Sequence, residues 1–281
     1  MAVNNSLSTT PKKVGLTAYL NSDAIKDNIN KVLGGKDAQR FITSIISAAN
    51  ANPSLAECDN ASIVSSAMLG EALKLSPSPQ LGHYYLVPFN DKNRGKVAQF
   101  QIGYKGYLQL AIRSGQYKKI NVVSIKQGEL IRFDPLDEVI EVNLIQDEDL
   151  REQTETIGYY AMFEYTNGFR KAMYWSKAKM EAHALKYSKG YQAKKGYTFW
   201  EKDFDGMAYK TMLRQLISKW GIMSIEMQTA MDSDMAVINE DGTRDYVDIP
   251  DIIDAPVVEP KEETKEEPKA DENDVEKALF G

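Results

Sequence analysis

The order of apolar and polar residues begins with three stretches of helical spacing. They cover about 22–33, about 37–50 and the residues after Asp59. Gly34-Gly35 is a plausible end for the first helix, and Asp59 is a good N-cap for the third. The second and third stretches carry their apolar residues on one face, so we expect both helices to pack against a core. The expected buried positions are Phe41, Ile42, Ile45, Ile46, Ala49, Ile63, Val64, Ala67, Met68, Ala72 and Leu75.

From about residue 83 the pattern changes to short runs rich in aromatic and β-branched residues, as is typical of strands. Thr166-Asn167-Gly168 lies between two alternating runs and predicts a tight hairpin. The expected strands are 83–89, 97–102, 119–126, 129–133, 138–145 and the two arms of a hairpin over 158–175. The expected helices of this part are 104–114, 176–188 and 204–220. The predicted fold class is therefore α+β, with a central antiparallel sheet and hairpins flanked by helices.

Charge is segregated along the chain. Residues 1–231 contain 29 Lys and Arg against 23 Asp and Glu, whereas residues 232–281 contain 5 against 17. The formal net charge of -6 therefore conceals a mildly basic body and a strongly acidic tail. We divide the chain into a flexible N-terminus (1–20), a mildly basic folded domain (21–231) and an acidic, largely disordered tail (232–281). Val275, Leu279 and Phe280 make the end of the tail a candidate partner-binding segment.

Residues 168–220 combine cations with aromatic rings, with 12 Lys and Arg, 4 Asp and Glu and 11 aromatic residues. Cations neutralise phosphates, and exposed rings stack on unpaired bases. Because a duplex hides its base faces, this mixture indicates single strands. Trp175, Tyr209 and Trp220 lie on apolar stripes and are interpreted as core, whereas Lys210 and Arg214 share another helix face that is open to a phosphate. The candidate contacts here are Lys179, Lys186, Lys189, Tyr191, Lys194, Lys195, Phe199, Lys202, Lys210 and Arg214.

A second basic region, 92–132, has nine Lys and Arg and one acid, Glu129. Within it, Gly103-Tyr104-Lys105-Gly106-Tyr107 opens a helix whose free N–H groups and lysine form a natural phosphate seat. Lys105, Gln109 and Arg113 recur every four residues and share a polar face, for which a solvated surface is the alternative interpretation. The face expected to be buried holds Tyr104, Leu108, Ala111 and Ile112. The candidate contacts here are Tyr104, Lys105, Tyr107, Gln109, Arg113, Lys118 and Lys119.

Other chemistry has weaker support in the sequence. Gly34-Gly35-Lys36-Asp37 lacks the complete P-loop pattern, so we expect no use of ATP. The two histidines, His83 and His183, have no recognisable metal-ligand spacing. Asp147-Glu148-Asp149 and the pair Asp232/Asp234 leave open a metal-dependent nuclease. No cofactor is expected, although Mg²⁺ is compatible with the sequence.

The cysteine count and the length of the apolar runs indicate the cellular compartment. Cys58 is the single cysteine, and no apolar run approaches the length of a membrane span. We therefore expect a protein of the reducing cytoplasm, with no membrane partner. An RNA-binding or scaffold protein remains a further alternative.

Several blocks of residues, in order along about 20–225, resemble the RecT family of phage and prophage recombinases. They are Gln80-Leu81-Gly82-His83-Tyr84-Tyr85-Leu86-Val87-Pro88-Phe89, Gln101-Ile102-Gly103-Tyr104-Lys105-Gly106-Tyr107-Leu108, Arg113-Ser114-Gly115, Gly158-Tyr159-Tyr160-Ala161, Met173-Tyr174-Trp175-Ser176 and Lys210-Thr211-Met212-Leu213-Arg214. The resemblance implies an ATP-independent protein that binds single-stranded DNA and anneals complementary strands in recombination, without a covalent catalytic step. It implies that residues 21–231 are the DNA-binding, annealing and oligomerisation domain.

The resemblance also implies an assembly and partners. Proteins of this family form homo-oligomeric rings or helical filaments that hold the annealed duplex in a basic groove, and their core resembles that of the Red-beta annealing proteins. They act beside a phage 5′→3′ exonuclease and the host single-strand-binding protein. The implied location is the cytoplasm of a bacterial host cell.

Overall fold

The computed structural model describes residues 14–91, 94–196 and 198–246. The helices are α1 (Leu16–Leu20), α2 (Asp23–Leu33), α3 (Gly35–Ala51), α4 (Asn60–Ala72), α5 (Tyr104–Arg113), α6 (Glu148–Gln153), α7 (Lys177–Tyr187), α8 (Lys189–Gln192), α9 (Phe199–Lys202), α10 (Phe204–Trp220) and α11 (Ile225–Ser233), with a short 3-10 helix at Pro53–Glu57. The strands are β1 (Tyr84–Asp91), β2 (Gly95–Ile102), β3 (Tyr117–Lys126), β4 (Leu130–Asp134), β5 (Val139–Val142), β6 (Thr156–Tyr165), β7 (Arg170–Ser176), β8 (Ala236–Ile238) and β9 (Arg244–Tyr246).

The strands form three antiparallel groups. The first sheet has the order β1-β2-β8-β9, the second has the order β3-β6-β7, and β4 pairs with β5 as a separate hairpin. β6 and β7 are joined at the expected turn, where Gly168 adopts a φ of +89°. The α+β class and the hairpins predicted from the sequence are confirmed.

The first sheet packs against a face of α4 that holds small residues. Ser62 Oγ accepts a hydrogen bond from the N–H of Ala98 on β2 (2.9 Å), and the Ser66 hydroxyl donates to the Ala98 carbonyl (3.3 Å). Asp59 caps the helix by accepting from the N–H of Ser62, as predicted. This face turns Ala72 to the solvent, so the prediction that Ala72 is buried was wrong.

α10 is shared by two hydrophobic cores. Its Leu213 and Ile217 belong to the first core, which also contains residues of α1 to α5, β1, β2, α11 and β8. Its Met212 and Leu216 belong to the second core, which lies between α10, α7 and one face of the second sheet. Residues three and four apart lie on one helix face, so neighbouring positions serve different cores. The two sheets are thereby fixed to one central helix.

The folded part is longer at both ends than the sequence predicted. Leu20 of α1 is fully buried, so the expectation of a flexible segment through residue 20 was wrong for 16–20. After residue 232, where no regular structure was expected, β8 is buried beside β2 and pairs with β9. The apolar run Ala236–Ile238 supplies the burial that outweighs the acidic composition around it. The rest of the predicted acidic tail, from 247 to 281, lies outside the described residues.

The helices of residues 14–91, 94–196 and 198–246 are too short or too polar for any of them to cross a bilayer.

Candidate nucleic-acid interface

The first turn of α5 lies unusually close to the start of β1. A Cβ on Gly103 would collide with the carbonyl oxygen of Gly82, and one on Gly106 would collide with the carbonyl oxygen of His83. Glycine is therefore required at both positions for backbone contact. Lys105 lies between these glycines and is exposed. The motif identified in the sequence thus fixes an exposed lysine at a helix N-terminus.

Lys105 and Phe199 meet at Tyr85, although they come from the two separate basic regions of the sequence. A Cβ on Gly82 would lie 3.0 Å from the Tyr85 hydroxyl and 3.4 Å from Cδ of Lys105, so both side chains flank this glycine. The rings of Tyr85 and Phe199 are 5.7 Å apart, and Phe199 is 40% exposed. Lys202 is exposed one helical turn after Phe199. We call Tyr85, Lys105, Phe199 and Lys202 the Tyr85 surface.

The other residues of the polar face of α5 are partly engaged in the fold. Arg113 is exposed, but its guanidinium donates to the carbonyls of Leu73 (2.7 Å) and Lys74 (3.0 Å), so it holds the end of α4. Gln109 is half-buried.

Tyr107 is fully buried in the first core, in contrast to its assignment as a candidate DNA contact. Burial raises the pKa of its hydroxyl above the ordinary value. Tyr104 is half-buried and packs edge-on against Tyr209 at 5.5 Å. Of the stripe predicted for α5, Ala111 is buried, Tyr104 and Leu108 are half-buried, and Ile112 is exposed. Gly106, Tyr107 and Leu110 are buried as well. The two glycines explain the difference, because the side of α5 that bears Gly103 and Gly106 packs against the backbone of Gly82 and His83.

The sequence predicted that Lys210 and Arg214 lie on an open helix face. In the structure, both residues bind Asp234. Lys210 Nζ is 2.8 Å from Asp234 Oδ1, and an Arg214 terminal nitrogen is 2.7 Å from Asp234 Oδ2. The same carboxylate accepts from the N–H of Ile102 (3.2 Å) and lies 3.5 Å from the Tyr107 hydroxyl. Burial lowers the pKa of Lys210, and the Asp234 carboxylate opposes that shift. This buried cluster joins α10 to α5, β2 and the end of α11.

The lysines at the start of β3 are exposed and share one carboxylate. Lys118 Nζ lies 2.6 Å from Glu164 on β6, and Lys119 Nζ lies 4.0 Å from it. The hydrogen bond from Lys118 lowers the pKa of Glu164. Surface pairs of this kind contribute little to stability, so both lysines can exchange partners.

The candidates on α7, on α8 and in the loop after it are mostly at the surface. Lys179 lies 4.5 Å from the centroid of the Trp175 ring, and Lys186 lies 5.2 Å from that of Tyr187. His183 packs between these two rings, and burial, followed by the charge of Lys186, lowers its pKa to about 4. The exposed lysines of this part are Lys179, Lys186, Lys189, Lys194 and Lys195.

The aromatic loop is divided between core and surface. Tyr191 is half-buried and packs 6.2 Å from both Trp200 and Phe204, whereas Phe199 reaches the surface. Thr198 and Glu201 form a capping box that fixes the start of α9. Tyr197 lies outside the described residues.

Two of the acidic residues behind the nuclease alternative, Asp147 and Asp234, serve the fold. Asp147 caps α6 by accepting from the N–H of Leu150 (3.0 Å), and Asp234 is bound in the buried cluster. Among the residues that the structure describes, no three His, Cys, Asp or Glu side chains are grouped to hold a metal ion.

From the sequence, Tyr85 was not assigned to the interface, and Asp234 was not assigned to a buried cluster. Tyr85 alternates along β1 with the buried Tyr84 and Leu86, and this strand periodicity was an available signal. Asp234 had a weaker signal, as an acid two residues before the apolar run Ala236–Ile238.

Comparison with known proteins gives one consistent family. The model of the RecT family matches residues 39–254. A protein of Bacillus subtilis (strain 168) described as uncharacterized protein YqaK is 44% identical, over 92% of this chain and 85% of its own length. Protein RecT of Escherichia coli (strain K12) is 30% identical, over 79% of this chain and 81% of its own length. The match covers both sheets, α5 and α10, and the chain belongs to the RecT family, whose members are single-strand annealing proteins of DNA recombination.

Proposed function

We propose that this protein binds single-stranded DNA without ATP and anneals complementary strands as a homo-oligomeric ring or filament. The observation that carries the proposal is the Tyr85 surface, in which Lys105 and Phe199 lie beside one tyrosine and Lys202 is exposed one turn after Phe199. Lysines supply charge for phosphates, and exposed rings supply faces for unpaired bases.

The strand path extends from this surface over the other exposed lysines. Lys105 and the start of α5 hold a backbone phosphate, and further phosphates bind the remaining exposed cations. Arg113 takes part from its fixed position at the end of α4. The strand does not contact Lys210, Arg214 or Tyr107, which lie in the buried cluster around Asp234. The further contacts are Lys118, Lys119, Lys179, Lys186, Lys189, Lys194 and Lys195.

Annealing in this scheme needs no covalent step. Pairing and stacking of the bases supply the free energy, at about 1.4 kcal/mol per step. The protein neutralises the repulsion between the two strands and keeps their bases accessible. Because phosphate contacts carry no sequence information, binding is independent of sequence and sensitive to salt. A 5′→3′ exonuclease that produces the single strand and the host single-strand-binding protein are the proposed partners in the bacterial cytoplasm.

The test combines binding and annealing with a matched pair of charge reversals. Lys105→Glu changes the Tyr85 surface, and Lys36→Glu changes an exposed lysine in the first turn of another helix, α3. We expect K105E to weaken binding of a labelled oligonucleotide at least tenfold and to slow annealing of its complement, both without ATP. K36E is expected to match the unmodified protein.

Equal binding by K105E and K36E, with both proteins folded, contradicts the assignment of this surface. Degradation of the oligonucleotide that stops with EDTA favours a nuclease, and preference for RNA of the same sequence favours an RNA-binding protein. Negative-stain images after sequential addition of two complementary oligonucleotides test the assembly, because rings or filaments are expected only when DNA is present.

A further inference from the structure

Two aromatic side chains outside the Tyr85 surface are exposed and are linked through a buried tyrosine. Trp220, at the end of α10, is 39% exposed, and Phe169, between β6 and β7, is 47% exposed. Tyr165 connects them, because its ring stacks on Phe169 at 5.8 Å and its hydroxyl donates to the Trp220 carbonyl at 3.0 Å. Tyr165 itself is buried. The sequence placed Trp220 in the core, and the structure corrects that interpretation.

Lysines surround the Trp220 ring. Lys171 Nζ lies 4.5 Å from the centroid of the ring, and Lys219 Nζ lies 6.0 Å from it. Lys179 on α7 lies over the neighbouring Trp175 ring, and burial, followed by the charge of Lys219, lowers the pKa of Lys179. Lys171 is also paired with Glu138. Two cations therefore lie near an exposed indole, and one of them, Lys171, has Glu138 as a carboxylate partner.

We propose that Trp220 and Phe169, together with Lys171 and Lys219, form a second strand contact that stacks on unpaired bases of single-stranded DNA. This inference rests on the single-strand binding proposed above. A base offers an apolar face to the indole, and its own phosphate offers charge to the lysines. The cations beside the ring favour a polyanionic strand over an uncharged protein surface.

The position of Trp220 suits a strand that also reaches the Tyr85 surface. Tyr209, which packs on Tyr104 at the start of α5, lies on α10 eleven residues before Trp220. At about 1.5 Å per helical residue, the two positions are separated by roughly 16 Å along the axis. This distance corresponds to about five base steps at the ~3.4 Å spacing of one strand in a duplex. One protomer would then contact a short run of bases at two places, the Tyr85 surface and Trp220.

The experiment compares a normal strand with a strand that has no bases. Binding of oligo-dT and of an abasic backbone of equal length is measured for the full chain and for Trp220→Ala, Trp220→Phe and the control Val32→Ala, an exposed apolar residue on α2. We expect W220A to weaken dT binding about 5- to 150-fold and to leave abasic binding unchanged. W220F is expected to retain most of the dT affinity, and V32A all of it.

Fluorescence gives a second measurement that does not depend on W220A being folded. Trp220 is the remaining tryptophan after Trp175→Phe and Trp200→Phe, and dT, but not the abasic strand, is expected to quench its emission.

Three outcomes overturn the inference while leaving single-strand binding intact. They are unchanged dT affinity in W220A and W220F, equal losses on dT and abasic strands, and a change of oligomeric state with no selective loss on dT. The last would assign the patch to contact between copies. Failure of the unmodified protein to bind either strand would instead remove the proposed function, and this inference with it.

Discussion

Replacing Asp234 by Asn should destabilise the whole fold, because it leaves two buried cations without their counter-charge. Lys210 and Arg214 both bind this carboxylate, and their side chains are 8% and 24% exposed. Removal of one partner from a buried ion pair typically costs about 3–5 kcal/mol. Since water still reaches Arg214, we expect the lower end, about 3 kcal/mol of the free energy of unfolding.

The choice of replacement separates charge from hydrogen bonding. Asn keeps an oxygen that can accept from the N–H of Ile102, whereas Ala does not. D234A should therefore lose about a further 1 kcal/mol. Domains of this kind are stable by about 5–15 kcal/mol, so D234N should still fold but unfold at lower denaturant concentration.

Urea unfolding followed by circular dichroism measures the effect, with the exposed Asp232→Asn as control. An unchanged midpoint for D234N would refute the buried cluster. Lys210→Met tests the same reasoning from the other side, since it leaves Asp234 paired with Arg214 and should weaken DNA binding little. If K210M loses as much oligonucleotide affinity as K105E at unchanged stability, the Lys210 ammonium contacts DNA and our assignment is wrong.

Three further predictions concern pH and backbone contact. Burial lowers the pKa of His183 to about 4. The contribution of the neutral imidazole to stability is therefore present above about pH 6.5 and is lost as the pH falls toward 4. In that window, the urea midpoint of His183→Phe should depend less on pH than that of the unmodified protein. Burial alone would raise the pKa of Glu129, but hydrogen bonds from Arg151 and two backbone N–H groups hold this pKa below its ordinary value. The stability that the Glu129 carboxylate contributes is therefore lost as acid protonates it. Glu129→Gln should unfold at a lower urea concentration at pH 7 and should lose less stability than the unmodified protein on acidification. Gly106→Ala should displace α5 and weaken both stability and oligonucleotide binding, whereas Gly35→Ala, with open space at its Cβ, should do neither; equal melting temperatures for these two variants would count against the close approach.

Much of the fold followed from the sequence because periodicity reports local structure. Strand alternation, the Asn-Gly turn at Gly168 and the Asp59 cap each depend on neighbouring residues, and each was found in the structure. The ends of the fold did not follow, since burial of Leu20 and of β8 depends on contacts with distant segments. Composition therefore underestimated the length of the folded part.

The site was less predictable for the same reason. The exposure of Lys105 was predictable, because this lysine lies on the polar face of the helix between two glycines. Lys210 and Trp220 were assigned to the wrong environments, because helical spacing gives a face but not what that face contacts. Only the fold shows that Asp234 reaches Lys210 and that α10 ends at the surface.

The sharing of α10 between two cores has a consequence for folding during synthesis. The first core takes its residues from Leu20 to Ala111 and then from Leu213 to Ile238. At about 5–20 residues per second, the ribosome adds the intervening segment in roughly 5–20 s. Throughout that interval α5 lacks α10, which packs against it, and α4 lacks β8. The first core, although its synthesis begins first, therefore closes last, and the nascent chain exposes an apolar surface suited to chaperone binding until Ile238 has emerged.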